Sequence, residues 1–448
     1  MASRLAVLIA AEGSLSPADL ASSCAGLAEL SFVADRAESA TEHGDDSMLL
    51  QVAAGLAPTG LADFADPADC LAAVRQAGAD AVTTFVERLC PLAAWLNLQL
   101  GADGGNQVPW GRKDLHRQAL VQAGLSRIRS LPLERPEQLT EFADQVGYPF
   151  VVKPIDGFAS RDTWLLPDRP AAAELAAGMA HGEHQLAGLF AEEFILSTGP
   201  TAPAMADYLS VEVFRAGGRE PAGAFITHRP PPAWPCRETG LILPSPLRPD
   251  EQAPLIDYAQ DVLDAVGARR GAYHVEIKPS PSGPETIEVN GRIGGFIARA
   301  VRYGTGQDLG RMALTSVLGQ PQQVELRWDR CVLGLLFQPP AAARRVVSAP
   351  SRREVSRLPG VIAVEDIAAV GSAVHWRNGT FGMVARLWIA ADSHPDLQES
   401  FVRVTEFLTD RFGYVDAEGQ PVRDLSWLAT VAGSAEQERR DVDERRPG

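Results

Sequence analysis

Two short alternating runs around a proline-rich turn constrain this chain more than any other feature. Residues 273–278 read Tyr-His-Val-Glu-Ile-Lys and residues 285–290 read Glu-Thr-Ile-Glu-Val-Asn, with Pro-Ser-Pro-Ser-Gly-Pro between them. This is the pattern of a β-hairpin. Strand side chains alternate between faces. Val275, Ile277, Ile287 and Val289 therefore fall on an apolar face, and His274, Glu276, Lys278, Thr286, Glu288 and Asn290 on the other. With the turn centred on Ser282, Glu276 lies opposite Glu288 and His274 opposite Asn290. Like charges directly opposite one another destabilise a sheet. Either a cation stands between the two carboxylates or one of them keeps a proton. A divalent ion held by Glu276, Glu288 and the Asn290 amide oxygen meets that need. These hard oxygen ligands suit Mg2+ or Mn2+ rather than zinc. A solvated polar face in a shifted register is the alternative.

Arg292 follows the hairpin at once, flanked by Gly291 and the pair Gly294 and Gly295. Its planar fork of donors fits a phosphate or an acyl oxyanion, and the paired glycines let a backbone approach a ligand closely. Lysine is scarce: of 41 basic residues only Lys113, Lys153 and Lys278 are lysines. Lysine and arginine bind anions differently. A chain that uses arginine by default keeps lysine where an ammonium is specifically required. Lys153 sits near the end of a strand expected over 150–154, and the loop beyond it carries Gly157, Ala159 and Ser160. Loop amides followed by an ammonium are a phosphate-holding arrangement, although the GxxxxGK[ST] loop is absent.

Along the chain, residues 1–105 alternate strand and helix signals: strands over 5–10, 30–34 and 81–86, helices opened by Ser16-Pro17 and Asp66-Pro67, and a helix over 89–100. The pattern implies a βαβα unit with a parallel sheet. Residues 106–316 form a second unit, with strands over 150–154, 163–166, 189–195, 208–214 and 223–227, and helices over 136–146 and 255–266. The Pro/Gly/Ala-rich stretch 197–205 reads as a flexible connection. Residues 317–432 form a small α+β unit with strands over 332–337 and 382–389, an Asn378-Gly379 turn and a helix near 395–412. The charged stretch 433–448 is expected to be disordered.

Several function classes drop out. No GxGxxG follows the first strand, which disfavours a dinucleotide enzyme. There is no GxSxG elbow, and the eight histidines give no HExxH. The net charge of −16 repels phosphodiester backbones, so nucleic acid is not a general partner. No apolar run reaches the ~18 residues of a membrane span, and the apolar run over 5–11 is read as a first buried strand. The five cysteines, Cys24, Cys70, Cys90, Cys236 and Cys331, lack CxxC spacing. They are read as free thiols of a reducing, cytoplasmic compartment.

Taken together, these motifs resemble an ATP-grasp domain, and specifically the carboxylate–amine ligases of the L-amino-acid and dipeptide ligase kind. Residues 104–125, with Lys113 and Arg117, resemble the segment carrying the family's first ATP lysine, and residues 150–154, with Lys153, resemble the second. Glu192, Glu193, Phe194 and Ile195 resemble the hinge that receives adenine, and residues 209–212 the strand after it. The stretch 227–247, with Glu238, resembles a substrate-side segment. His274 to Glu276 and residues 287–292 resemble the metal and phosphate motifs. The resemblance implies an α/β, three-part architecture: a parallel-sheet N-terminal domain, an ATP-grasp domain of mostly antiparallel sheets and a small C-terminal α+β domain. It implies ATP and Mg2+ as cofactors, with Lys113, Lys153, Gly157 and Ser160 on the nucleotide phosphates and Glu276, Glu288 and Asn290 on the metal. Glu238, Gly294 and Gly295 would lie on the substrate side, and Arg292 would be the catalytic cation. The implied reaction joins a small-molecule carboxylate to an amine through an acyl phosphate, releasing ADP and phosphate. Neither nucleic acid nor membrane is an expected partner, and a homodimer is compatible with the sequence. Two alternatives stay open. One is a biotin-carboxylase-like enzyme that activates bicarbonate. The other is a nucleotide-binding protein without turnover, suggested by Phe158 and Asp162 in the small-residue loop. Lys278 is open between charge balance and substrate contact.

Overall fold

The computed structural model describes residues 3–39, 45–102, 106, 108–218, 221–320 and 322–423. Gly104, Gly105, Gln107 and the tail expected over 433–448 lie outside the described residues. The N-terminal part is a parallel sheet in the order Thr59–Ala62, Glu29–Asp35, Arg4–Ile9, Ala81–Thr84. Its helices begin where the sequence says they should. Ser16 accepts from the Asp19 amide and Asp19 returns the bond, so both orphan amides of the first turn are satisfied. Asp66 caps Pro67–Gln76 through the Ala68 amide. In parallel sheets, loops beyond the carboxyl ends of the strands gather around ligands. Here Gly13 and Ser14, beyond Arg4–Ile9, and Glu87, beyond Ala81–Thr84, all reach the central cleft.

A small lobe follows. Its antiparallel sheet runs Ser130–Pro132, Leu189–Glu193, Phe150–Pro154, Trp164–Leu166, backed by helices Gln138–Val146 and Arg169–Ala180. The lobe has its own core of Leu139, Phe142, Phe150, Val152 and Leu175.

The largest sheet has eight strands, in the order Gly283–Asn290, Arg270–Ser280, Leu209–Ala216, Gly223–His228, Gly240–Leu243, Cys331–Phe337, Ala385–Ala391, Val361–Ile367. The unit expected from 317 onward thus supplies three of its strands, and the ladder Leu241↔Gly334, Ile242↔Leu333 carries the sheet across residue 317 without a break. A three-stranded sheet of Arg345–Ser348, Gly413–Val415 and Pro421–Val422 completes the C-terminal part, with helix His394–Arg411 packed on the large sheet.

Three expectations need correction. The hairpin register holds for His274↔Asn290 and Glu276↔Glu288, but it slips beyond, to Ile277↔Thr286 and Ser280↔Gly283. The unpaired extra residue is Ile287, a β-bulge. Ile287 therefore leaves the apolar face and lines the cleft beside Glu288. The apolar face keeps Val275, Ile277 and Val289. The stretch 197–205 is not loosely attached: Ala204, Met205 and Ala206 are buried, and Thr201 holds the Ala206 carbonyl. The strand expected over 189–195 ends at Glu193, which leaves Phe194 and Ile195 beyond its pairing. Four of the five cysteines are buried and all are free thiols. Among the described residues no helix is long and apolar enough to cross a membrane.

Gly334 is a point of close packing in the long sheet. It pairs with Trp388, and a Cβ at Gly334 would lie 2.7 Å from the Trp388 ring. Gly334→Ala is expected to destabilise the protein by about 1–3 kcal/mol, the usual cost of overpacking, read by urea unfolding. Separate transitions for residues 209–290 and 331–391 would contradict a single continuous sheet.

Candidate functional site

One cleft of about 1080 Å³ opens where the three parts meet, and all three lysines line it. Each arrives by a different element. Lys113 opens helix Lys113–Gln122, Lys153 sits on Phe150–Pro154 of the small lobe, and Lys278 lies on Arg270–Ser280 of the large sheet. Each is matched to a carboxylate: Lys113 Nζ to Glu288 Oε2 at 3.0 Å, Lys153 Nζ to Glu192 Oε2 at 2.7 Å, and Lys278 Nζ to Asp207 Oδ2 at 2.9 Å. Lys113 also donates to the Gly157 carbonyl at the root of the small-residue loop.

Glu276 and Glu288 face one another as the register requires. Burial opposes ionisation of Glu288, but Lys113 and Lys153 overcome it and bring its pKa down to about 2. Burial likewise opposes the charge on Lys113, and Glu288 and Glu87 outweigh it, so the ammonium titrates above its ordinary value. Beneath Glu276 lies His274. Its Nδ1 is 2.5 Å from Glu212 Oε1 and its Nε2 is 3.3 Å from Glu276 Oε1. Burial disfavours the imidazolium, yet Glu212 leads the carboxylates that raise its pKa to about 9. At the far wall Arg292 pairs with Glu87 and donates to the Ile293 carbonyl at 2.9 Å.

No family model matches the chain. Carnosine synthase 1 of Gallus gallus is 41% identical over 101 residues, which is 22% of this chain and 11% of that protein. The enzyme of that name from Mus musculus is 28% identical over 203 residues, 43% of this chain and 22% of the relative. The chain thus matches only a minor part of either relative's length. Among solved structures, an L-amino acid ligase from Bacillus licheniformis superposes with a TM-score of 0.64 at 19% identity, covering 92% of this chain and 98% of that one. The biotin carboxylase domain of a 2-oxoglutarate carboxylase from Hydrogenobacter thermophilus, solved with MgADP and bicarbonate, superposes with a TM-score of 0.59 at 14% identity, covering 98% of this chain and 95% of that one. The fold is that of the ATP-grasp ligases.

Within this ATP-grasp fold, most of the sequence-derived positions gather on one cleft. Lys113, Lys153, Gly157, Ser160, Glu192, Glu193, Phe194, Ile195, Glu238, Glu276, Glu288, Asn290, Arg292 and Gly295 all line it. Gly294 is not among the lining residues. Its amide is spent on Glu212 Oε2 at 3.1 Å, and a Cβ there would press on His274. The Glu192 side chain is a buried bridge between Arg117 Nε and Lys153 Nζ, both at 2.7 Å. Glu238 is held by Arg229 Nε at 2.9 Å, so it is not an unpaired anion awaiting an ammonium. Lys278 stands 4.6 Å over the Phe194 ring and 2.9 Å from Asp207 Oδ2.

Among the cleft residues that escaped sequence reasoning are Glu87 and Arg229. Glu87 lies just past the carboxyl end of Ala81–Thr84, and that position was its one available signal. Arg229 lies within the stretch 227–247 that the resemblance puts on the substrate side, and nothing singled it out there. The residues fit a divalent cation. Glu288 is held as a carboxylate, Glu276 is directly across, Asn290 shares the face, and every donor is a hard oxygen. Among the described residues no group of three or more His, Cys, Asp or Glu forms a metal cluster.

Glu192→Gln would leave Arg117 and Lys153 facing a neutral amide in a buried site. Unpairing buried charge costs about 3–5 kcal/mol. The variant is expected to lose that much in urea unfolding, and an unchanged midpoint would show that the bridge contributes no stability.

Proposed function

We propose that this protein is an ATP-dependent ligase that joins a carboxylate, an amino acid or a close relative of one, to an amine, forming an amide with release of ADP and phosphate. The observation that carries the reading is the convergence of Lys113, Lys153, Glu276, Glu288 and Arg292 on one cleft between the small lobe and the large sheet. The similarity to carnosine synthase 1 and to an L-amino acid ligase supports an amino-acid substrate. Cofactors are ATP and Mg2+, with Mn2+ as a substitute.

In this reading the adenine enters between the Glu193–Ile195 backbone and the apolar Ile287. Lys113 and Lys153 hold the α- and β-phosphates. Glu276, Glu288 and Asn290 would hold the divalent ion, which would supply neutralisation of the phosphate charge. The substrate carboxylate oxygen attacks the γ-phosphorus and the bond to the β-phosphate oxygen breaks, giving an acyl phosphate and ADP. The amine nitrogen then attacks the acyl carbon, loses its proton and expels phosphate. Such chemistry is positioning and charge stabilisation rather than covalent catalysis by the protein. It needs no nucleophilic side chain. Arg292, held by Glu87 of the N-terminal domain, lies where it can neutralise the acyl phosphate and the oxyanion formed on amine attack. Glu87 keeps the guanidinium fixed on the wall, and Glu212 with His274 fixes Glu276.

The deciding experiment is phosphate release measured over a panel of amino-acid pairs, with mass spectrometry of the products. An amide product that requires both partners supports the reading. ADP formation that depends on bicarbonate instead of an amine would overturn it, as would nucleotide binding with no turnover over the whole panel. Glu288→Gln is expected to reduce amine-dependent ADP release below detection while the far-ultraviolet circular dichroism stays unchanged, and full activity in that variant would remove Glu288 from the metal site. Lys153→Met is expected to weaken ATP binding strongly in calorimetry.

A further inference from the structure

We propose that Arg161 contacts the γ-phosphate of the bound nucleotide, and that a strap from the C-terminal part, residues 375–382, aims it. The inference rests on the nucleotide reading above and adds a residue and a positioning element to it.

Arg161 differs from the other cations of the cleft. Each of those has a carboxylate within 4.0 Å, Lys113 on Glu288 and Arg292 on Glu87 among them. Among the described residues Arg161 alone of the cleft cations has no such partner. Its guanidinium instead lies 5.4 Å over the Phe158 ring and lines the cleft. A cation without a carboxylate, on the loop that follows Lys153, can turn to an incoming anion without stranding a buried charge. The lysines answer for charge nearer the nucleoside, and the transferred phosphoryl group, with charge on three oxygens, asks for one more cation. Arginine meets it with a fork of donors.

The loop that carries Arg161 is held in an unusual shape. Ala159, Ser160 and Asp162 have φ of 53°, 55° and 47°, the left-handed region that non-glycine residues avoid. Such conformations persist when the surroundings over-determine them, and here the surroundings are the strap. The Thr380 amide donates to the Ala159 carbonyl at 2.8 Å, and the Asp162 amide donates to the Arg377 carbonyl at 3.3 Å, so the loop is pinned on both sides of Arg161. Phe158 and Phe381 meet edge to face at 6.3 Å. The Arg377 guanidinium lies over Trp164 of the small lobe and Trp376 of the strap. The approach is so close that the strap needs a glycine: Gly379 has φ 58°, and a Cβ there would collide with the Ala159 carbonyl oxygen. The strap is itself fixed to the large sheet, because Gln338 donates to the Thr380 carbonyl at 3.0 Å. The C-terminal part therefore shapes the phosphate end of the cleft through the loop backbone.

The test is calorimetry with two probes, the β,γ-imido analogue of ATP and ADP, each with Mg2+. In Arg161→Ala, affinity for the analogue is expected to fall on the order of ten- to a hundredfold, as for loss of a hydrogen bond to a charged group, while ADP affinity stays within about twofold. Arg161→Lys should recover part of the loss. Gly379→Ala is expected to show the same selective loss of the triphosphate analogue, which general loosening of the lobe would not produce. Equal weakening of both nucleotides, or no change in either, overturns the assignment of Arg161 while leaving the ligase reading in place. Selective loss in Arg161→Ala with none in Gly379→Ala overturns the role of the strap. Failure of the unaltered protein to bind either nucleotide brings down the ligase reading and this inference together.

Discussion

Two carboxylates set directly across a hairpin are the constraint around which the site is built. Glu276 and Glu288 cannot both be ionised, buried and unaccompanied. Lys113 comes down from the N-terminus of its helix onto Glu288, and His274 backs Glu276 from below with its other nitrogen on Glu212. The compensation spreads outward. Lys113 also feels Glu87, and Glu87 is the partner of Arg292. The result is an array of alternating sign drawn from the N-terminal sheet, the helix at Lys113 and the large sheet. Burying so many charges is tolerable because each is paired and hydrogen-bonded. It also accounts for the cleft lying at the junction of the parts, since Lys113 and Glu87 reach Glu288 and Arg292 from other elements.

Beneath that array the packing is ordinary. Val275, Ile277 and Val289 lie on the opposite face of the hairpin, against Val211, Val262 and Leu263, so the apolar face fixes which way the carboxylates point. The bulge at Ile287 adds one adjustment. Ahead of it the strand runs in the register that opposes the two glutamates, and behind it the pairing shifts so that Thr286 and Glu285 turn inward. There the Thr286 carbonyl accepts from Arg117 and Glu285 accepts from Ser126. One extra residue thus lets a single strand serve the cleft at one end and the buried Arg117 network at the other.

What the sequence disclosed and what it hid divide along physical lines. Alternation over 273–278 and 285–290 predicts the opposed carboxylates because a strand's period is a local property. The scarcity of lysine points to Lys113, Lys153 and Lys278, and all three line one cleft. The bulge is invisible because Ile287 fits the alternation equally well in either register. Glu87 and Arg229 are single charged residues whose role exists only when distant segments meet. The stretch 197–205 has the composition of a linker, yet Met205 and its neighbours are buried, because small residues suit a tight surface pocket as well as a mobile loop. The strand Val361–Ile367 and the helix Ile297–Thr305 go unnoticed in the sequence, and both matter for the cleft: the first supplies Glu365, the second Arg299 and Arg302.

The two lysine pairs are not equivalent, and the difference bears on how a ligand enters. Glu192 has two cations, so when Lys153 turns toward an anion Arg117 remains on it at 2.7 Å. Glu288 has Lys113 at 3.0 Å, with the more distant Lys153 adding to the positive field and another carboxylate, Glu276, across the hairpin. Moving Lys113 away would take from Glu288 its directly paired cation, at a cost of several kcal/mol, with His274 on Glu276 and the field of Lys153 left to offset the two carboxylates. In the proposed reading Lys153 would answer a phosphate alone, whereas Lys113 would do so at least cost when positive charge reaches Glu276 and Glu288 at the same time. Nucleotide and divalent cation would thereby be coupled through one ion pair. A site that exchanges its internal pairs for ligand pairs in this way stays charge-balanced with and without its ligands, which is how a chain of net charge −16 can hold a cleft suited to a polyphosphate.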